Sequence, residues 1–598
     1  MKVFFKIVFG NLVALFLFMV LAFFFFGATF SALLMTDRTP RVERDSVLIF
    51  DMSSNITDAP PAAEFAQLVE QSMGRPAVPS HSLRTVTESI RRAATDDRIS
   101  AVFLMGNFIP QGYGTGFSTL REVRMALQEF SESGKPIFAY LENPTVREYY
   151  VASAADRIVL NPYGVVGING LASQQIFVAG LLERYGIEVQ VTRAGRYKAA
   201  VELFTEQQMS PDNRAQTQAL LDDIWNDILE RISESRGISP QDLQALTDAR
   251  GFIEPEQALE HRLVDKVGYF DEVMQDVREV AGRRDGVRFP QIDLANYAST
   301  FQTQQGRPAR GRGTVAVIYV EGDLVDGDGF TGSVGGDRFA REIRQLRLNQ
   351  TVDAIVVRVN SPGGSVTAAE TIQRELALAA EEMPVIVSFG SVAASGGYWI
   401  STGAERIFAQ PNTITGSIGV FGILPNFQQI ANRHGITFDV ARTGRYADVF
   451  SLVRPKTEDE MELIQEVVDE IYHDFLERVA RGRNMTIEQA DALGQGRIWS
   501  GQEAMRQGLV DEIGGLRDAI RHAGEAANLQ QWEIYEFPRP VEFAEVLAEI
   551  FAPEHRPLVA RDPMQLFLRD LQSEFQSLQI MNDPRGLYVR MPFTLRIQ

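Results

Sequence analysis

"TRAGRYKAAV", residues 192–201, returns 249 positions later as "ARTGRYADVF", residues 441–450. Both copies keep an R-x-G-R-Y core, but Lys198 of the first faces Ala447 of the second. The same offset relates Tyr149 to Tyr398, Arg157 to Arg406, Pro162 to Pro411 and Gly167 to Gly416. Further on, "ALEHRLVDKVG" (258–268) matches "AMRQGLVDEIG" (504–514) at an offset of 246. Self-similarity at so constant a period is the mark of a domain written twice.

The grammar of each copy is strand and helix in alternation. "ISAVFLMGN" (99–107), "KPIFAYLEN" (135–143) and "RIVLNP" (157–162) read as strands. "FSTLREVRMALQEFSESG" (117–134) and "REYYVASAAD" (147–156) read as helices. The second copy repeats the order. Strands are "VDAIVVRVN" (352–360), "PVIVSFG" (384–390) and "RIFAQP" (406–411), and helices are "SVTAAETIQRELALAAEE" (365–382) and "GGYWISTGAE" (396–405). Strands separated by helical crossovers imply mainly parallel sheets covered by helices, an α/β class. The expected domains are an N-terminal segment 1–45, a first repeat 46–300, a polar Gly/Arg linker 301–313, a second repeat 314–530 and an appendage 531–598 without a counterpart in the first half.

A chain of 598 residues exceeds a single core, in line with this division. A net charge of −20 argues against nucleic-acid binding, which needs a basic surface. Absence of cysteine excludes disulfides, thiolate nucleophiles, iron–sulfur clusters and cysteine zinc sites. The six histidines form neither H-x-x-H nor H-E-x-x-H, so a histidine-built metal site is not expected. From Ile7 to Met35 no residue is charged. As a helix that run would be roughly 44 Å long, against a hydrocarbon core of about 30 Å. It reads as an uncleaved transmembrane anchor rather than a signal peptide cut near Ala28 or Ala32. Lys2 and Lys6 put the short N-terminus in the cytoplasm and the bulk of the chain outside it.

The copies differ where chemistry could sit. The second has "NSPGGSV" (360–366) and "GSVAASGGYW" (390–399), where the first has "NFIPQGYGTGF" and "ENPTVREYY". Small neighbours around Ser395 permit a sharp strand-to-helix turn that presents its hydroxyl, as in a nucleophile elbow, although G-x-S-x-G is absent. Gly363 and Gly364 offer main-chain N–H groups suited to an oxyanion. A serine hydroxyl needs a base. Lys198 serves only if neutral, which burial favours by penalising the ammonium. One half thus holds the lysine without the serine, and the other the serine without the lysine. Arg196 and Arg445 occur in both copies and read as structural.

"RAGRYKAAVELF", "VNSPGGSV", "VAASGGYWIST" and "NTITGSIGVFG" together resemble the bacterial signal peptide peptidase A (protease IV) family in its long, duplicated, membrane-anchored form. The resemblance runs from the anchor to about residue 530. It implies a tandem Clp protease/crotonase-like fold and a serine–lysine peptidase on the outer, periplasmic face of the cytoplasmic membrane. Such a peptidase degrades cleaved signal peptides and other apolar peptides without metal or cofactor. It further implies Ser395 as nucleophile, Lys198 as general base and Ser417 as the residue orienting the lysine. The Gly364 and Gly396 N–H groups, with Gly363 a further candidate, would form the oxyanion hole, and the assembly would be a homotetrameric bowl. Two rival readings stand beside it: a crotonase-like acyl-CoA hydratase or thioesterase, and a non-catalytic membrane scaffold.

Overall fold

The computed structural model describes residues 40–61, 78–282, 288–302, 313–330, 332–537 and 587–591. The expected anchor, and all but the ends of the expected linker, lie outside the described residues. Among the described residues no helix is long and apolar enough to cross a membrane.

Each repeat builds the same six-stranded parallel path. In the first it runs Lys266–Val267, Arg157–Leu160, Ile137–Leu141, Ile99–Met105, Ser46–Asp51, Gln291–Asp293. In the second it runs Glu512–Ile513, Arg406–Ala409, Val385–Ala394, Ala354–Ser361, Gly313–Glu321, Trp532–Phe537. Central strands are buried on both faces, hence their unbroken apolar runs rather than alternation. Trp532–Phe537 holds the edge position that Gln291–Asp293 holds in the first sheet, so this stretch beyond residue 530 does have a structural counterpart. Sequence could not show it, because an edge strand is specified by its ladder rather than by side-chain identity.

Shared residues repeat shared bonds. The Tyr149 hydroxyl donates to the Leu263 carbonyl at 2.7 Å, and Tyr398 donates to Leu509 at 2.8 Å. The Ile158 N–H donates to Asp265 and the Ile407 N–H to Asp511. Two long helices, Pro211–Arg236 and Glu458–Arg483, start on capping Ser210 and Thr457. They end on left-handed Gly237 (φ 64°) and Asn484 (φ 52°), residue types that tolerate this conformation.

The repeats are locked face to face. Arg358, from the second, is fully buried and donates to Asp58 (2.8 Å) and Glu122 (2.8 Å) of the first. Its Nη1 donates to Ser388 Oγ and to the Phe389 carbonyl. A third sheet then joins the copies directly. Strand Glu188–Ala194 of the first repeat pairs antiparallel with Val420–Asn426 of the second along its whole length, Ala194 opposite Val420. Its full order is Ser333–Gly335, Asp323–Val325, Gly363–Ser365, Leu587–Arg590, Val420–Asn426, Glu188–Ala194.

Candidate active site

The serine stands where strand Val385–Ala394 meets helix Gly396–Trp399. Ser395 is the single residue between them, at φ 56° and ψ −113°. A residue with a Cβ adopts that conformation only when its surroundings impose it. Here the Ser395 N–H donates to the Gly416 carbonyl (2.7 Å) and the Trp399 N–H donates to the Ser395 carbonyl (2.8 Å). The strand-to-helix turn expected from "AASGG" forms, but Ser395 is buried rather than presented in the open. The strand before it is longer than expected, because Val392–Ala394 pair with Ile414–Gly416.

The lysine arrives from the other repeat. From paired Ala194 and Val420 the two chains continue at the same end of the ladder, one forward to Lys198 and one backward to Ser417. Gly195 (φ 107°) lets the first chain pass tightly over the second. A Cβ there would lie 2.5 Å from the Gln495 carbonyl carbon, and the Tyr197 N–H donates to the Gln495 carbonyl oxygen at 2.8 Å. Gly496 seats Lys198 from the far side, since a Cβ on it would lie 2.6 Å from the Lys198 Cβ. At the matching Gly444 nothing lies within 4 Å, and the second motif is mostly exposed. Only the first copy of the repeated motif thus passes tightly over a neighbouring segment, while the second holds ion pairs such as Arg442 with Asp448.

Lys198 and Ser395 are both fully buried, and Lys198 Nζ lies 2.7 Å from Ser395 Oγ. The same nitrogen is 2.8 Å from the Ser417 main-chain oxygen and 3.1 Å from Ser417 Oγ. Burial alone pushes the Lys198 amine well below the ordinary lysine range. Its neutral form has two N–H donors and one lone pair. Ser417 can take the donors through its carbonyl and hydroxyl oxygens, leaving the lone pair for the Ser395 hydroxyl proton. Ser417 is itself held at φ 51°, its N–H donating to the Arg497 carbonyl (2.6 Å).

The glycines gather beside the elbow. A Cβ on Gly363 (φ 96°) would fall 2.6 Å from the Gly396 nitrogen. The Gly363 N–H donates to Ser361 Oγ at 3.2 Å. Sequence reasoning passed over Ser361, the Gln495–Gly496 turn and one more element. The strand Leu587–Arg590 lies antiparallel between Gly363–Ser365 and Val420–Asn426, over the serine. The short alternation in "LYVRM" was the one signal for it.

The family described as Peptidase family S49 matches residues 129–284 and 377–530, stretches that contain Lys198 and Ser395 respectively. Protease 4 of Salmonella typhi is 35% identical over 563 residues, covering 90% of this chain and 89% of its own. Protease 4 of Haemophilus influenzae is 32% identical over 527 residues, covering 84% of each chain. The chloroplastic serine protease SPPA of Arabidopsis thaliana is 31% identical over 453 residues, covering 75% of this chain and 66% of its own.

Proposed function

The chain belongs to peptidase family S49, and from that premise we propose that it is a membrane-anchored serine endopeptidase degrading cleaved signal peptides and other apolar peptides through a Ser395–Lys198 dyad split between its repeats. The observation that carries this reading is the buried 2.7 Å contact between Lys198 Nζ and Ser395 Oγ.

In the proposed cycle Ser395 Oγ attacks the scissile carbonyl carbon while its proton passes to the neutral Lys198 amine. The tetrahedral oxyanion is held by the Gly364 and Gly396 N–H groups, worth about a hundred- to a thousand-fold in rate per donor. Collapse breaks the C–N bond, and Lys198 returns the proton to the leaving amine. Water then attacks the acyl ester, giving its proton to Lys198; the C–Oγ bond breaks, the acid product leaves, and Lys198 returns the proton to Ser395 Oγ. Ser417 holds the lysine on line throughout. Family membership leaves the acyl-CoA and scaffold readings without support.

A homotetramer on the periplasmic side of the cytoplasmic membrane completes the proposal. Its support in the fold is the segment of the second repeat that matches the lysine-bearing strand. Ile436, Phe438 and Val440 match Ile187, Val189 and Val191, yet they form no strand within the chain and their apolar side chains lie about half exposed. A neighbouring copy of this chain is the natural cover for it.

The deciding experiment is hydrolysis of a fluorogenic apolar peptide. Ser395→Ala and Lys198→Ala are each expected to lower kcat by about 10⁴-fold or more while remaining folded. Ala447→Lys should gain no second site. Near-normal turnover by Lys198→Ala would sink the dyad.

A further inference from the structure

Without Leu587–Arg590, the edges Gly363–Ser365 and Val420–Asn426 would leave a slot one strand wide. Peptides add to such edges as strands, main chain to main chain. The segment of this chain lying there therefore reports the register a peptide substrate would take. Gly364 is the ladder partner of Val589 and Gly363 that of Arg590. The Val589 carbonyl oxygen rests against the glycines, 2.1 Å from where a Gly363 Cβ would stand and 2.9 Å from where a Gly396 Cβ would stand. Val589 thus occupies the place of the residue whose carbonyl Ser395 attacks. Tyr588, one residue earlier, packs on Ala200, Val201 and Phe421. Arg590 stands at the first residue of the leaving amine.

Arg590 does not point into an apolar pocket. Its Nε lies 2.9 Å from Asp323 Oδ1, with both side chains about nine-tenths buried. The Tyr113 hydroxyl donates to Asp323 Oδ2 at 3.2 Å. Asp323 belongs to the second repeat and Tyr113 to the first, so this contact, like the dyad, exists only where the copies meet. A carboxylate so deeply placed needs a cation opposite it. A neutral residue there would leave it desolvated and unpaired, and an acidic one would repel it.

We infer that Asp323, braced by Tyr113, is a subsite that selects a basic side chain on the residue immediately following the scissile bond. The inference rests on the peptidase reading above and adds a specificity to it. Apolar residues before the bond and Arg or Lys after it make a preferred cleavage sequence.

The test uses the full chain in detergent micelles and internally quenched apolar peptides that differ only at that residue: Arg, Ala or Glu. Cleavage positions are read by mass spectrometry, and kcat/KM ratios are compared within each enzyme, where folded fraction cancels. Wild type is expected to favour Arg over Ala by about tenfold and over Glu by more. Asp323→Asn should bring the Arg/Ala ratio close to one, Asp323→Lys should invert the Arg/Glu order, and Asp323→Glu should restore it. Tyr113→Phe reads the same ratio, with a smaller loss, should Asp323→Asn fail to fold. A flat wild-type series, or a ratio unchanged in Asp323→Asn with the cut in the same place, overturns the subsite and leaves the dyad standing. Cleavage that persists in Ser395→Ala overturns the dyad, and the subsite with it.

Discussion

Lys198 is a buried amine whose depressed pKa has burial as its one cause. The folded value lies below the unfolded one. Between the two, the unfolded chain holds a proton that the folded chain lacks, so stability rises with pH through that window. Lys198→Met should raise the urea midpoint at neutral pH, and the gain should shrink as pH approaches the ordinary lysine range near 10.5. In activity, the acid limb of kcat/KM should fall well below that range. Lys198→Arg, which cannot deprotonate, should be as inactive as Lys198→Ala. A gain constant up to alkaline pH, or an active arginine variant, would contradict a neutral lysine. The paired glycines make a sharper comparison. Gly195→Ala meets both a positive φ and the Gln495 main chain, and should cost about 1–3 kcal/mol as well as most of the activity. Gly444→Ala, in open space, should change stability by less than about 1 kcal/mol. Thermal melts and turnover on the two variants check this.

Strand Glu188–Ala194 carries Lys198, the proposed base, to residues supplied mostly by the other repeat, and its hold is the ladder to Val420–Asn426. Proline at a paired position removes a ladder donor and forces the strand to bend. Thr192→Pro, opposite Gly422, should therefore lower kcat by about a hundredfold or more. The parallel sheets should survive, since neither contains this strand. Far-UV circular dichroism beside turnover separates the two effects, and a loss of both would show that the ladder is needed for folding. The matching segment of the second repeat, residues 437–443, has the same sequence pattern, but it forms no strand and lies exposed.

At the scale of the whole molecule that exposed copy sets the expectation for assembly. Phe438→Asp should reduce the mass measured by light scattering from about four chains toward one, and a chain lacking residues 1–45 should leave the membrane fraction. An unchanged mass in Phe438→Asp would place the interface elsewhere. Within one chain the repeats cannot part cheaply. Arg358 would leave two buried carboxylates behind, a cost of about 3–5 kcal/mol when one partner of such a pair is removed. The proposed dyad would therefore come preassembled. Much of this organisation was legible in advance. The constant offset of Tyr149/Tyr398 and Arg157/Arg406 showed the duplication, because residues needed to fold a domain recur wherever the domain recurs. The mismatch of Lys198 with Ala447 pointed to the proposed site, because one site served by two copies would leave each free to lose the other's part. Repetition and its failure are written along the chain and need no coordinates. The 2.7 Å meeting of Lys198 and Ser395, 197 residues apart, was decided by the ladder between the repeats. The edge strand Trp532–Phe537 was likewise invisible, as were the place of Leu587–Arg590 between two other strands and the pairing of Asp323 with Tyr113 and Arg590. Those contacts join residues remote in sequence, and what selects them is main-chain hydrogen bonding and the need of buried charge for a partner, neither of which leaves a local pattern to read.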